Sequence, residues 1–208
     1  SHVYALLQPR RNGVRFVGSA AAANVTPGSS AALALPFVQG LGASARLSAY
    51  LYYETGFAFD GRGVWIVNDL DPSSPGSLGL STLPPRLSPP SFSGAPGALT
   101  ASWTSAGADP SLDAQFLDVV WIGSAEYGWG GMLPPGGTPF AFPKIPDDLA
   151  AWLPPGGPPS GGEVEAVDVS TVAGYAAFKA TYSTSFMQAL PEGGAYTVRA
   201  SAGWTPPW

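Results

Sequence analysis

Apolar residues recur at every second position in several segments of the chain, which is the period of a half-buried β-strand. Residues 45–53 show this pattern most clearly, since alanine, leucine and tyrosine at the odd positions alternate with arginine, serine and tyrosine at the even ones. Residues 196–201 repeat it, with Tyr196, Val198 and Ala200 on one face and hydrophilic residues on the other. These segments predict antiparallel strands that bury one face.

Three other segments are assigned from composition as well as period. Residues 115–122 are apolar on both faces and also fit a helical stripe, but their β-branched and aromatic residues favour a strand. Residues 175–182 are predicted to form a further strand. Residues 146–153 alone are predicted to be helical, because Asp147 and Asp148 would occupy the first turn, where the helix dipole favours acidic side chains.

Glycine-containing turns separate the predicted strands. Asn12-Gly13 predicts a hairpin between two β-rich runs, and Asp-Gly-Arg-Gly at residues 60–63 predicts a second hairpin. The chain has 27 Gly and 23 Pro, which punctuate its apolar runs. The predicted fold class is therefore all-β: one or more antiparallel β-sandwiches with long Pro/Gly-rich loops and at most one or two short helices.

The Pro-rich residues 71–90 show no periodicity and are predicted to be a linker. We therefore expect two units: residues 1–87 as a β-rich meander or small sandwich, and residues 88–208 as a β-sandwich with a long insertion at 123–162. The charge distribution agrees, since the first unit has six basic and four acidic side chains and the second has three and ten. The competing interpretation is a long crossover within one sandwich.

Charge and cysteine content exclude several classes of protein. A formal charge of −5 gives no basic surface for nucleic acid, and the absence of cysteine excludes disulfides, thiolate nucleophiles and Cys-ligated zinc. No apolar run approaches the roughly 20 residues of a membrane span. With only 11% charged residues, the chain depends for solubility on Ser, Thr, Gly and Pro. We therefore expect an extracytoplasmic location: secreted, periplasmic or envelope-anchored.

Residues 89–203 resemble a fibronectin type III or related immunoglobulin-like domain. The resemblance is carried by Pro89-Pro90, by the strand at residues 99–103 with its inward Trp103, and by residues 190–200, which look like the tyrosine corner of that family. It implies a β-sandwich and, by analogy, a non-enzymatic role in adhesion or binding.

The resemblance departs from the family in two places. The 123–162 insertion is longer than the usual connection, and no closing strand follows Ser201. We therefore expect an N-terminal strand or a partner chain to cover the edge of the last strand, because an open edge invites pairing.

Residues suited to catalysis are few. The only histidine is His2, next to the first residue of the sequence, and we expect no Ser-His-Asp triad to be built on it. Acidic residues occur in four close pairs, at turns or strand starts where acids are common for local reasons. The pairs are Asp69 with Asp71, Asp109 with Asp113, Asp147 with Asp148, and Glu163 with Glu165. We predict no catalytic residue, no cofactor and no enzymatic activity.

One segment has the alternating oxygens that calcium prefers, namely residues 68–71 (Asn-Asp-Leu-Asp). The full spaced loop of a calcium site is missing from it. We therefore predict an Asx turn there, and no metal site in the protein.

Aromatic residues provide the candidate ligand-binding site. Tyr127 and Trp129 fall in a predicted Gly-rich loop, and Trp152, Trp204 and Trp208 are expected nearby. Such residues stack on sugars or on a partner's side chains. The competing interpretation is that they plug one end of the sandwich. We take Tyr127, Trp129 and Trp152 as the predicted site.

The sequence thus favours a non-catalytic extracytoplasmic binding or structural module with a protein or glycan partner. A structural subunit of a phage or pilus assembly is the first alternative. A carbohydrate hydrolase is the second, and it requires two carboxylates within about 10 Å of one another across a cleft.

Overall fold

The computed structural model describes residues 1–12, 14–16, 18–26, 31–38, 40, 42–55, 58–73, 79–94, 97–123, 125–144, 146–152, 154, 156–182, 190–191 and 193–205, without the side chains of residues 54, 55, 58–60, 80 and 150–152. Its strands are β1 (His2–Arg11), β2 (Val14–Arg15), β3 (Ser19–Asn24), β4 (Ser44–Thr55), β5 (Ala58–Leu70), β6 (Ser91–Ser93), β7 (Thr100–Ser102), β8 (Ala114–Ile122), β9 (Glu126–Leu133), β10 (Phe140–Ala141), β11 (Gly161–Val169) and β12 (Tyr196–Thr205). The α-helix α1 spans Gly174–Thr181, and 3-10 helices span Leu80–Thr82 and Asp147–Trp152.

Two antiparallel sheets form the fold. The larger has nine strands in the order β2-β1-β4-β5-β12-β11-β8-β9, with β3 also paired to β1, and the smaller has the order β10-β7-β6. All pairings among the described strands are antiparallel. The predicted all-β antiparallel sandwich class, with few and short helices, is confirmed.

The last strand, β12, lies in the middle of the larger sheet. It pairs with β11 on one side and with β5 on the other, from Tyr196 opposite Asn68 to Gly203 opposite Gly61. A strand from residues 1–87, β5, therefore covers the edge of β12, as expected. This ladder joins strands from residues 1–87 and 88–208 in one sheet, while the division into two units stays a prediction.

The larger sheet buries residues on both of its faces. We call face A the side that carries Tyr196, Val198 and Ala200, and face B the opposite side. At one end of face A, α1 and the start of the corner at Leu190 cover a core in which Phe178 is fully buried. On face B the smaller sheet covers a second core. That core includes Leu99, Ala101, Trp103, Leu117, Val119, Leu133, Val164 and Ala166.

The tyrosine of the predicted corner makes the expected contact. The Tyr196 hydroxyl donates to the carbonyl oxygen of Pro191, five residues upstream, at 2.9 Å. One contact does not establish a family, so the fibronectin-like resemblance stays a prediction.

Local expectations are confirmed where the sequence pattern and the packing agree. β1 and β2 form the hairpin at Asn12, whose φ of 52° suits the turn. Residues 115–122 lie in β8, as the β-branched content predicted. Within 71–90, the described residues contain a 3-10 helix and one bridge, from Leu87 to Ser105, rather than a strand.

The hairpin expected at residues 60–63 is wrong, because these residues lie inside β5. The β4–β5 ladder instead extends to the pair formed by Thr55 and Ala58. The two glycines are there because neighbouring groups approach closely. A Cβ on Gly61 would lie 2.5 Å from the Ala202 carbonyl oxygen, and one on Gly63 would lie 2.5 Å from Leu83 Cδ1.

The strand expected at residues 175–182 is also wrong, since this segment forms α1. Tyr175, Phe178 and Tyr182 are three and four positions apart, which places them on one face of a helix. All three pack on the core of face A, and the alanines between them favour the helix. Helical spacing thus outweighs the β-propensity of the aromatic residues.

Candidate functional site

The aromatic residues singled out from the sequence do not lie in a loop. Tyr127 and Trp129 belong to β9 and are half-buried against the core of face B. The ring centroid of Trp129 is 4.4 Å from that of Phe142 and 5.8 Å from that of Phe140. This packing is what the interpretation of a plugged sandwich end predicts, and a ligand-binding role for these two residues stays a prediction.

The third predicted site residue, Trp152, ends the 3-10 helix Asp147–Trp152, but its side chain is outside the described part of the structure. Trp208 lies outside the described residues altogether. Trp204, by contrast, is described and lies on face A.

A pocket on face A is lined by four ring side chains, His2, Tyr4, Tyr52 and Trp204, and has a volume of about 400 Å³. His2 of β1 lies directly opposite Tyr52 of β4, and Tyr4 follows two residues along on the same face. Trp204 comes from the end of β12. We call this feature the aromatic pocket.

His2 is held in place by a neighbouring strand. Its Nδ1 lies 2.7 Å from Asn24 Oδ1, and the two residues are partners in the β1–β3 ladder. The imidazole therefore donates through Nδ1 to the amide oxygen of Asn24. This contact fixes one wall of the aromatic pocket.

Charged residues lie beside the aromatic pocket on the same face. Glu163 and Glu165 are two positions apart on β11, Asp118 of β8 lies opposite Glu163, and Arg62 comes from β5. Glu163 also lies opposite Trp204, and Arg62 lies opposite Tyr52. We call Asp118, Glu163 and Glu165 the acidic row. Its member nearest to the aromatic pocket is Glu163, the ladder partner of Trp204.

Arg62 bridges the two glutamates. Its Nη2 is 3.1 Å from Glu163 Oε1 and 3.6 Å from Glu165 Oε1. Ala202 of β12 stands between Arg62 and Glu165 in the sheet register, and its small side chain lets the guanidinium reach across.

Asp118 at the other end of the row has room for its carboxylate because of a glycine. A Cβ on Gly130, its partner on β9, would lie 2.4 Å from Asp118 Oδ1. Asp118 itself is exposed. The acidic row therefore runs from an enclosed end at Glu165 to an open end at Asp118.

Burial shapes the electrostatics of this site. It raises the pKa of Glu165 to about 7, against the opposing effect of Arg62, and the neighbouring carboxyls of Glu163 and Asp118 add to the rise. The Glu165 side chain is only 12% exposed. Burial also raises the pKa of Glu163, which Arg62 again opposes. The site therefore becomes more negative as pH rises through about 7 and Glu165 loses its proton.

Removing the Glu165 charge should stabilise the protein at alkaline pH. A carboxyl whose folded pKa lies above its unfolded value of 4.5 favours the folded state below pH 4.5 and loses that contribution as pH rises through about 7. The full shift corresponds to about 3 kcal/mol. We expect Glu165→Gln to unfold with a free energy about 1 to 3 kcal/mol higher than the wild type at pH 8, and with little difference at pH 5.

Urea denaturation at the two pH values measures this effect. Glu126→Gln, at an exposed position of the same face, is the matched control and should change the stability by less than about 0.5 kcal/mol at either pH. An equal effect of Glu165→Gln at pH 5 and pH 8 would contradict the assignment.

Members of two other acidic pairs have structural roles. Asp71 and Asp109 form Asx turns, accepting from the backbone N–H of Ser73 and Ser111 at 2.9 Å each, so the predicted Asx turn near residue 71 is confirmed. Asp113 is buried and accepts from the backbone N–H of Val169 and Gly174. Among the described residues, no group of three or more acids, histidines or cysteines is arranged to hold a metal ion.

The geometry of the glutamate pair keeps one alternative open. Both Oε1 atoms touch one nitrogen of Arg62, so they are much closer to one another than the roughly 10 Å that a pair of glycosidase carboxylates can span. The pair therefore meets the distance part of the requirement for a carbohydrate hydrolase, with both carboxyls on one strand.

No protein-family model matches the chain, and neither a curated protein nor a solved structure matches it significantly. Among the residues that the structure describes, no helix has the length and hydrophobicity needed to cross a membrane. The fold and the site define the class: an antiparallel β-sandwich with an aromatic pocket beside an acidic row on one face of its larger sheet.

Proposed function

We propose that the protein is a non-catalytic, extracytoplasmic binding module that holds its ligand in the aromatic pocket. The observation that carries this proposal is the convergence of four ring side chains from three strands on one pocket. Its volume of about 400 Å³ falls within the roughly 300 to 1,000 Å³ of sites for small molecules. Strands position such residues more precisely than loops do.

Binding suits the arrangement of charges better than hydrolysis does. Glu163 and Glu165 project from one strand, whereas the carboxyls of a glycosidase flank the bond that is cut. Arg62 also lies between the two glutamates and pairs with both. This pairing suits a fixed electrostatic surface. The extracytoplasmic location rests on the low charge content and the Ser-, Thr-, Gly- and Pro-rich composition.

Ligand titrations followed by tryptophan fluorescence and calorimetry test the proposal. The panel contains glucose, cellobiose, chitobiose, amino acids and small amines. We expect at least one of these to bind saturably, and Trp204→Ala to weaken its binding at least tenfold, because the indole forms a wall of the pocket. Trp129→Phe, on face B, is the matched control and should bind as the wild type does. Equal binding by Trp204→Ala would contradict the proposal.

The same samples address the two alternatives. Release of reducing sugar from the disaccharides, lost in Glu163→Gln, would favour the carbohydrate hydrolase, for which the close glutamate pair is the supporting observation. Sedimentation of the protein alone should give a monomer. A defined oligomer would favour a subunit of an assembly instead.

A further inference from the structure

We propose that the ligand of the aromatic pocket is a small organic cation whose ammonium group lies against the aromatic rings and faces the acidic row. This inference rests on the proposed function, since it names the ligand class of the same site. It combines three features of face A: the rings, the excess of negative charge, and the size of the pocket.

The rings provide a surface that attracts cations. The faces of Trp and Tyr rings carry partial negative charge and attract an ammonium group within about 6 Å of the ring centre. Tyr4, Tyr52 and Trp204 are three such rings in one pocket. A quaternary ammonium, which cannot donate ordinary hydrogen bonds, is the cation that such a pocket suits best.

The excess of negative charge selects the sign of the ligand. Arg62 is the guanidinium that pairs with Glu163 and Glu165, so one positive charge faces two carboxylates, and Asp118 adds a third. The partner of Trp204 in the ladder is Glu163, so this charge begins at the wall of the pocket. Arg62 borders the pocket as well, opposite Tyr52, so the net charge beside the pocket is that of three carboxylates and one guanidinium, which disfavours an anion. A neutral sugar could use the rings but would gain nothing from this excess of negative charge.

The size of the pocket limits the size of the ligand. A pocket of about 400 Å³ falls in the volume range of sites for small molecules, so we take the ligand to be one.

A matched pair of probes tests the charge directly on the wild-type protein. Choline and its uncharged isostere 3,3-dimethylbutan-1-ol have the same shape and differ by one positive charge. We expect choline to bind at least ten times more tightly than the isostere at pH 8 in calorimetry, and tetramethylammonium to displace it. Added salt should weaken choline binding and leave the isostere unaffected.

Variants assign the preference to the acidic row. Glu163→Gln combined with Glu165→Gln should lower the choline-to-isostere ratio at least threefold, leaving the part of the preference that the rings supply, while Glu126→Gln should keep the wild-type ratio. Thermal unfolding of each variant confirms that it is folded.

The possible outcomes separate this inference from the proposed function. Equal binding of choline and the isostere overturns the cation and leaves a binding pocket that selects shape. Binding of glucose, with no binding of choline or tetramethylammonium, overturns the cation and keeps the binding module. If no compound in either panel binds, both proposals fail.

Discussion

Phe178→Ala should lower the free energy of unfolding by about 3 to 5 kcal/mol, the cost of removing a large aromatic side chain from a closed core. Phe178 is fully buried, with its ring centroid 5.9 Å from that of Phe116 on β8 and 4.8 Å from that of Tyr182. It is the buried residue through which α1 packs on face A. The substitution therefore leaves a cavity between the helix and the sheet.

Urea denaturation measures this loss, and Lys179→Ala is the matched control. Lys179 is the next residue of the same helix and is exposed, so its replacement should change the stability by less than about 0.5 kcal/mol. Phe178→Leu should recover part of the loss because it refills most of the volume. A loss below about 1 kcal/mol for Phe178→Ala would mean that α1 contributes little to the core.

The sequence predicted best those strands whose alternation is local. β4 and β12 were recognisable because apolar and polar residues alternate along them, although the structure buries residues on both faces of each strand, including Arg46 and Ser48 on β4 and Ser201 on β12. β8 is buried on both faces, and its β-branched residues sufficed to identify it. In each case the residues that identify the strand are contiguous in the sequence.

The predictions that were wrong concern glycine and aromatic residues, because each of these residue types occurs in two kinds of local structure. Gly130 and Gly131 indicated a loop, but they lie in β9, where they make room for the Asp118 carboxylate and the Trp129 ring. Gly61 allows the close approach of β12 to β5 instead of making a turn. Whether such a glycine lies in a turn or within a strand depends on a neighbouring strand that is distant in the sequence.

The candidate site was predictable only in pieces. The glutamates at 163 and 165 and the tryptophan at 204 were noted separately, and Tyr52 was assigned to the less apolar face of its strand. No local sequence pattern links these residues to Arg62. Arg62 pairs in the sheet with Ala202 of β12, about 140 positions further along the chain. The aromatic pocket likewise needs the β1–β4 ladder and the far end of β12. The pairing order of the strands creates the site.

The second substitution with a large expected effect on stability removes a buried arginine beside the tyrosine corner. Arg46 of β4 is only 4% exposed. Its Nε donates to Asn68 Oδ1 at 3.0 Å and its Nη2 donates to the Pro191 carbonyl oxygen at 3.1 Å, as well as to the Tyr196 hydroxyl. Asn68 in turn donates to the carbonyl oxygen of Gly194 at 2.8 Å. This network ties β4 and β5 to the corner that begins β12.

Arg46→Met should lower the free energy of unfolding by about 2 to 4 kcal/mol, because each buried acceptor left without a donor costs about 1 to 3 kcal/mol and the losses overlap. Methionine keeps most of the length of the side chain, so the loss reports mainly the hydrogen bonds. Arg11→Met, at an exposed position of β1, is the matched control and should have little effect.

Tyr196→Phe separates the corner from the arginine. On its own it should cost about 1 to 2 kcal/mol, since it removes the hydroxyl that bonds to both Arg46 and Pro191. In a double-mutant cycle the two substitutions should couple by more than about 0.5 kcal/mol, because they share one network. Desolvation of a buried guanidinium opposes its hydrogen bonds, and an Arg46→Met variant as stable as the wild type would show that desolvation is the larger of the two.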